Sequence, residues 1–194
     1  MIAADQRLFE WINSLSDTWP WLDRLFTFLA SDFFLPVLIA AAAWSLWFLG
    51  KTPAERLRNQ LGFIYAASGA GLANWAIHAL NHHYYRPRPF LELDHVTVLF
   101  YRATDSSFPS NAAAFAFAMA AGVWLVHKKM GLAVGAAAFV FCAARVYAGM
   151  HYPLDVVGGA LLGILMSWAF SRVFGLLRPL ANAMFSVARA LYLA

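Results

Sequence analysis

The chain has 194 residues, of which 62% are hydrophobic and 12% charged, with a formal charge of +4. A soluble domain carries roughly 25% charged residues, so this composition excludes an ordinary water-soluble globule and makes the bilayer the solvent for most of the chain. The basic residues are scattered rather than gathered as a nucleic-acid footprint, and the single cysteine, Cys142, excludes a disulfide framework or a cysteine metal site.

Leu8, Ile12 and Leu15 recur at helical spacing with Arg7, Glu10 and Asn13 between them, which predicts an amphipathic helix in the membrane interface within 1–20. Trp11, Trp19 and Trp21 fit the aromatic belt there. Because Asp5, Arg7 and Glu10 interrupt the apolar pattern, no cleavable signal peptide is expected. Candidate spans follow over 33–50, 61–80, 108–126, 130–144 and 153–171. The segment 21–31 either lengthens the first span or adds a sixth. Leu180, Met184, Val187 and Leu191 then form an apolar stripe, which predicts a surface tail helix over 179–194. The expected fold is all-α: one polytopic membrane domain over 1–194, with five or six transmembrane helices in a core over 21–174 and amphipathic terminal helices. Gly69 and Gly71, Gly131 and Gly135, and Gly159 and Gly163 place small residues where spans can approach closely.

Charge assigns the sides. With five spans, one set of ends holds Lys51, Arg56, Arg58, Lys128, Lys129, Arg172, Arg178 and Arg189 against the single acid Glu55. The positive-inside bias makes that set cytoplasmic, with the N-terminus outside, the C-terminus inside, and the connection 81–107 facing outward. The expected location is a bacterial cytoplasmic (inner) membrane, with the site on the periplasmic or outer side.

Three patches of unusual residues fall on the outward ends. In the last, His151 and Asp155 are four apart. If the turn is helical from about His151, the carboxylate can accept the Nδ1 proton and leave Nε2 as a nucleophile; an isolated pair of this kind also serves as a simple helix cap. Arg145 strengthens the first reading, because a guanidinium at the edge of a bilayer core needs an anion. Arg88, between Pro87 and Pro89, offers a second planar fork for phosphate oxygens. Ser110 is a natural N-cap, and a helix starting there aims backbone N–H groups at an anion. Two arginines, a hydroxyl and a helix N-terminus can cradle a transferring phosphoryl group while His151 attacks in line. No metal or other cofactor is required.

The sequence reads Asn81-x6-Arg88-Pro89, Pro109-Ser110-Asn111-Ala112 and Ala144-Arg145-x5-His151-x3-Asp155. It resembles the type 2 phosphatidic acid phosphatase superfamily, whose pattern is K-x6-R-P, P-S-x-H and S-R-x5-H-x3-D and whose site is shared with vanadium haloperoxidases. The SFPSN segment and the RPRP run are similar to the bacterial undecaprenyl-diphosphate phosphatase branch. The resemblance implies that His151 forms a phosphohistidine and Asp155 orients it, while Arg88, Arg145, Ser110, Asn111 and the Asn81 position bind phosphate. Asn81 stands where the family has lysine, and Ala144 where it has serine. Ala112 stands where the family has the histidine that protonates the leaving group. Either an introduced His→Ala change or a natural loss of the acid accounts for it, and the otherwise intact motif favours the former.

The implied function is hydrolysis of a polyprenyl diphosphate to its monophosphate, impaired at Ala112. Phosphatidylglycerol phosphate, phosphatidate and lipid A remain alternative substrates. A different class is a non-catalytic binder or carrier of phosphorylated lipid headgroups. A haloperoxidase is disfavoured by burial in lipid. His78 and His82, four apart, could hold a metal but have no carboxylate at matching spacing. The small-residue faces of the third and fifth spans are expected to wall a lateral portal for the lipid. The expected partners are the bilayer and a membrane lipid substrate, with no nucleic acid.

Overall fold

Side-chain caps or first-turn prolines set where most helices begin in this chain, and the computed structural model describes residues 2–176. The helices are α1 (Ile2–Asn13), α2 (Pro20–Ala30), α3 (Leu35–Ser45), α4 (Pro53–Asn81), the short α5 (Pro89–Glu92), α6 (Asn111–Val126), α7 (Lys128–Tyr147) and α8 (Pro153–Leu176). No strand occurs among the described residues. The tail helix expected over 179–194 lies outside them.

Thr52 caps α4, its hydroxyl accepting from the Glu55 N–H at 3.2 Å while the Glu55 carboxylate accepts from the Lys51 N–H at 2.9 Å. Pro53 occupies a first-turn position where a missing N–H costs nothing. Ser110 caps α6 and His127 caps α7 in the same manner, through Ala113 N–H and Met130 N–H. Gly149 ends α7 at φ +79, where a side chain would be strained, and a Cβ there would press on the Thr97 carbonyl.

α6 is the centre of the bundle, packed by α4, α7 and α8. Its buried face is almost all alanine, from Ala113 to Ala120, with Gly122 against Ala66 of α4. Gly159 and Gly163 of α8 lie directly on the Ser110 and Ala114 carbonyls, and Ser167 donates to the Ala118 carbonyl at 2.9 Å. Apolar tails of lipid give no hydrophobic drive for helices to associate, so small residues that admit close backbone contact supply the adhesion instead. This packing corrects the expected portal: the small-residue faces of α6 and α8 form a closed seam with no room for a lipid. Gly131 also meets a neighbour, Trp124, but Gly71 meets nothing and Gly135 touches Ala120 only at 4.0 Å.

Large apolar side chains point outward. Trp44, Trp75, Leu132, Phe139 and Leu161 are all more than half exposed, the inverse of a soluble protein and the expected face toward lipid. Two described helices, α7 and α8, are long and apolar enough to cross a membrane alone. α2 and α3, bent by 42° at the break between them, form a third candidate together. The expected continuous span over 33–50 is therefore a shorter helix preceded by a bend. α6 is apolar but has 16 residues, and α4 has 29 but carries Asn59, Gln60, Asn74 and His78 within it. α1 docks through Asp5, Phe9 and Asn13, all buried, so Asn13 faces the bundle rather than the water expected for it. Leu8, Ile12 and Leu15 instead border an apolar groove of about 710 Å3 with Phe26 and Val157.

Candidate active site

Four helix ends meet at one end of the bundle: the last turns of α4 and α7 and the first turns of α6 and α8. The Gly149 turn reverses the chain after α7, with Met150 N–H donating to the Arg145 carbonyl at 3.0 Å, and so delivers His151 beside Arg145. The extended segment after α4 pairs with the chain before α6, Ser107 N–H donating to the Arg86 carbonyl at 2.8 Å. That pairing brings Arg88 across to the same place.

His151 is 2% exposed. Its Nδ1 lies 3.1 Å from the Ser107 carbonyl, which can only accept, so the Nδ1 carries the proton and Nε2 keeps its lone pair. Nε2 faces Arg88 Nη1 at 3.4 Å. Burial pushes the imidazole pKa well below its ordinary value; the Arg88 and Arg145 charges lower it further, against a smaller opposing effect from the Ser107 carbonyl. The ring is thus neutral at physiological pH.

The expected His151–Asp155 hydrogen bond is not formed. α8 begins at Pro153, so His151 precedes the helix and its Nδ1 stands 4.0 Å from Asp155 Oδ2. Asp155 is fully buried and engaged elsewhere: it accepts from the Ser107 hydroxyl, from Tyr152 N–H at 2.9 Å and from Arg86 Nη1 at 2.6 Å. Its connection to the histidine runs through Ser107, whose hydroxyl donates to Asp155 and whose carbonyl faces His151 Nδ1.

Arg88 and Arg145 are each nearly buried and each already hold a carboxylate. Arg88 Nη2 donates to Asp105 Oδ1 at 2.7 Å and Nη1 to the Met150 carbonyl at 2.8 Å. Arg145 Nη1 donates to Asp32 Oδ1 at 2.6 Å and to the Ala30 carbonyl at 3.2 Å, while its Nε is buried without a partner. The carboxylates are about half exposed, at 54% and 45%. An anion entering from solvent could exchange with them.

A cleft of about 320 Å3 is bordered by His151, Arg88, Arg145, Asn111 and Ala112 together with Asn74, Asp32, Asp105 and Tyr101. Ser110 and Asn81 are not on its wall. The Ser110 hydroxyl is spent on the α6 cap and its N–H on the Asp155 carbonyl at 2.9 Å. Asn81 sits at the end of α4, and Asn74, on the same helix face two turns deeper, lines the cleft instead. Ala112 presents only a methyl group there. The larger apolar groove shares no bordering residue with the cleft and contains no charged group. His78 and His82 meet edge-on with ring centroids 4.8 Å apart, and no group of three metal-ligating side chains gathers among the described residues.

The sequence motifs give no role to Asp32, Asp105, Arg86 or Ser107. Each acts through a partner far along the chain, Arg145–Asp32 being separated by 113 residues. The RPRP run holds Arg86 and the SFPSN segment holds Ser107, but neither string marks the distant partner that places the residue.

An all-helical membrane bundle whose cleft gathers a neutral histidine and two nearly buried arginines has the make-up of a phosphate-handling site. The model of the PAP2 superfamily matches residues 61–179. YbjG of Escherichia coli (strain K12), described as a candidate undecaprenyl-diphosphatase, is 34% identical over 161 residues, covering 81% of this chain and 76% of that protein. The undecaprenyl-diphosphatase BcrC of Bacillus subtilis (strain 168) is 27% identical over 185 residues, 95% of this chain and 91% of that one. The crystal structure of Aquifex aeolicus LpxE superposes with a TM-score of 0.64 at 28% identity, over 84% of this chain and 92% of that one. The chain belongs to the PAP2 superfamily. It is a phosphatase, a hydrolase acting on lipid phosphate.

Proposed function

We propose that the chain hydrolyses a polyprenyl diphosphate to the monophosphate, without a metal, through a phosphohistidine at His151. The observation that carries this reading is the neutral, Nδ1-protonated imidazole whose unprotonated Nε2 faces Arg88 in a cleft shared with Arg145. Nε2 forms a bond to the terminal phosphorus. The bond from that phosphorus to the bridging oxygen breaks, and the electron pair leaves with the lipid monophosphate. Arg88 and Arg145, exchanging Asp105 and Asp32 for phosphate oxygens, stabilise the charge on the transferring group. The N-terminus of α6, with Asn111 and Ala112 at the cleft wall, adds its positive dipole end. Water then attacks the phosphohistidine and releases phosphate.

With Ala112 in place, the loss of activity should be smaller on a diphosphate than on a monoester. A lipid phosphate leaves as a stable anion, whereas an alkoxide needs a proton that no methyl group can give. Loss of a general acid costs about 10²–10⁴ in rate where protonation is required. Purified chain in detergent with a chelator should release phosphate from polyprenyl diphosphate faster than from phosphatidate, and Ala112→His should raise the phosphatidate rate the more. His151→Ala should abolish both. Phosphate release that survives His151→Ala overturns the reading. Ala112 is the one support for a second reading, a headgroup binder that does not turn over; binding of polyprenyl diphosphate with no release even after Ala112→His would establish it. Phosphatidylglycerol phosphate and lipid A are the competing substrates, and the same release assay ranks them.

For the membrane setting we infer five spans, with α3, α4, α6, α7 and α8 crossing a bacterial inner membrane and the cleft outside. The charge bias and the gathering of the site at a single end of the bundle support it.

A further inference from the structure

We propose that Asp5 and Arg86 are positioning residues of this site, linking the interfacial helix α1 to the acceptor that orients His151. The inference rests on the phosphohistidine reading and adds two residues that never touch the cleft.

The connection is continuous. Asp5, buried on α1, accepts from Arg86 Nη2 at 2.7 Å through one oxygen and from Leu154 N–H, in the first turn of α8, at 2.9 Å through the other. Arg86 Nη1 donates to Asp155 Oδ1 at 2.6 Å, and its guanidinium lies 4.2 Å from the centre of the Tyr152 ring. Asp155 holds the Ser107 hydroxyl, while the Arg86 carbonyl holds the Ser107 N–H at 2.8 Å. Ser107 is thereby gripped through side chain and backbone, and its remaining carbonyl is the acceptor for His151 Nδ1. Arg86 takes part in both grips, its side chain by holding Asp155 and its backbone carbonyl directly. Without it, two carboxylates with no exposed side-chain surface would face each other uncompensated.

A plain structural clip for α1 is the rival explanation, but α1 has other anchors. Asn13 donates to the Thr97 and Tyr147 carbonyls, both at 2.9 Å, and accepts from Thr97 N–H. Phe9 packs edge-on against Tyr152. Asp5 is therefore not needed merely to keep the helix docked, and Asn13→Ala provides a variant that loosens α1 without touching the line to His151.

The test uses the purified full chain, as it stands and with Ala112→His, and follows phosphate release from farnesyl diphosphate in mixed micelles. Asp5→Asn and Arg86→Gln should lower kcat by about 10–100-fold, the size of effect a small misplacement of a reacting group produces. KM and the inhibitory concentration of vanadate should stay within about twofold, because no substrate contact is lost. Arg86→Lys should recover part of kcat, and Asn13→Ala should lower Tm while leaving kcat of the folded protein unchanged. Should Arg86→Gln fail to fold, Asp5→Asn and Arg86→Lys carry the comparison. An unchanged kcat in Asp5→Asn, or a loss that falls on KM, overturns the inference while leaving the function intact. Release that persists in His151→Ala overturns the function instead.

Discussion

At His151, protonation state and nucleophilicity are decided by one backbone oxygen and two guanidiniums. Because its pKa lies well below the free-imidazole value of about 6.5, the ring stays neutral through the physiological range, and phosphohistidine formation should fall off only as pH drops below that value. Arg88→Gln removes a positive neighbour and lets the pKa rise, so the acid limb of single-turnover rate against pH should move to higher pH while phosphate affinity falls. An unmoved limb would dissociate Arg88 from the histidine. Asp32 makes the opposite prediction. Its ion pair with Arg145 must yield to an incoming phosphate, and because Asp32 is half exposed and screened by solvent the pair is worth on the order of 1 kcal/mol. Asp32→Asn should therefore lower the concentration of vanadate needed for half inhibition by up to about fivefold.

The element that matters most is the seam between α6 and α8, since it fixes the first turns of both helices and with them Ala112 and Asp155. Gly159 and Gly163 have backbone carbonyls where a Cβ would go. A carbonyl inside a helix cannot rotate aside as a side chain can. Gly159→Val or Gly163→Val should cost about 3 kcal/mol or more, the upper end for overpacking, measurable as a lower midpoint in detergent unfolding together with lost activity. Gly71 is the control. Nothing lies within 4 Å of the position of its Cβ, so Gly71→Ala should be neutral or should stabilise by up to about 1 kcal/mol through helix propensity. Equal losses at Gly71 and Gly163 would mean that the seam is not where the bundle is tight.

For the whole molecule, the question is which way it faces. Single cysteines placed at Asp94 and at Lys128, in a Cys142→Ser background because the native thiol is buried, should react differently with a membrane-impermeant thiol reagent added to intact cells. Asp94→Cys should label and Lys128→Cys should not. The reverse pattern would put the cleft on the cytoplasmic side and overturn the proposed topology.

Composition and local spacing are enough to determine that this chain is an all-helical membrane protein, and that Arg145 at the end of one helix and His151 just before the next fall at the same turn. Those features are set within a few residues: Ser110 caps its helix whatever surrounds it, Gly149 permits the turn, and apolar length measures a bilayer. Membership of the PAP2 superfamily was legible for the same reason, because its motifs are short contiguous strings. Tertiary structure alone decided what each charge is paired with. The carboxylate nearest His151 in sequence does not hold its Nδ1 proton, since the helix starts two residues late and the Ser107 carbonyl arrives first. The two site arginines take Asp105 and Asp32, and Arg86 joins Asp5 to Asp155. A buried charge takes the partner that packing brings within reach, and packing is a property of chain segments whose separation along the sequence carries no local mark.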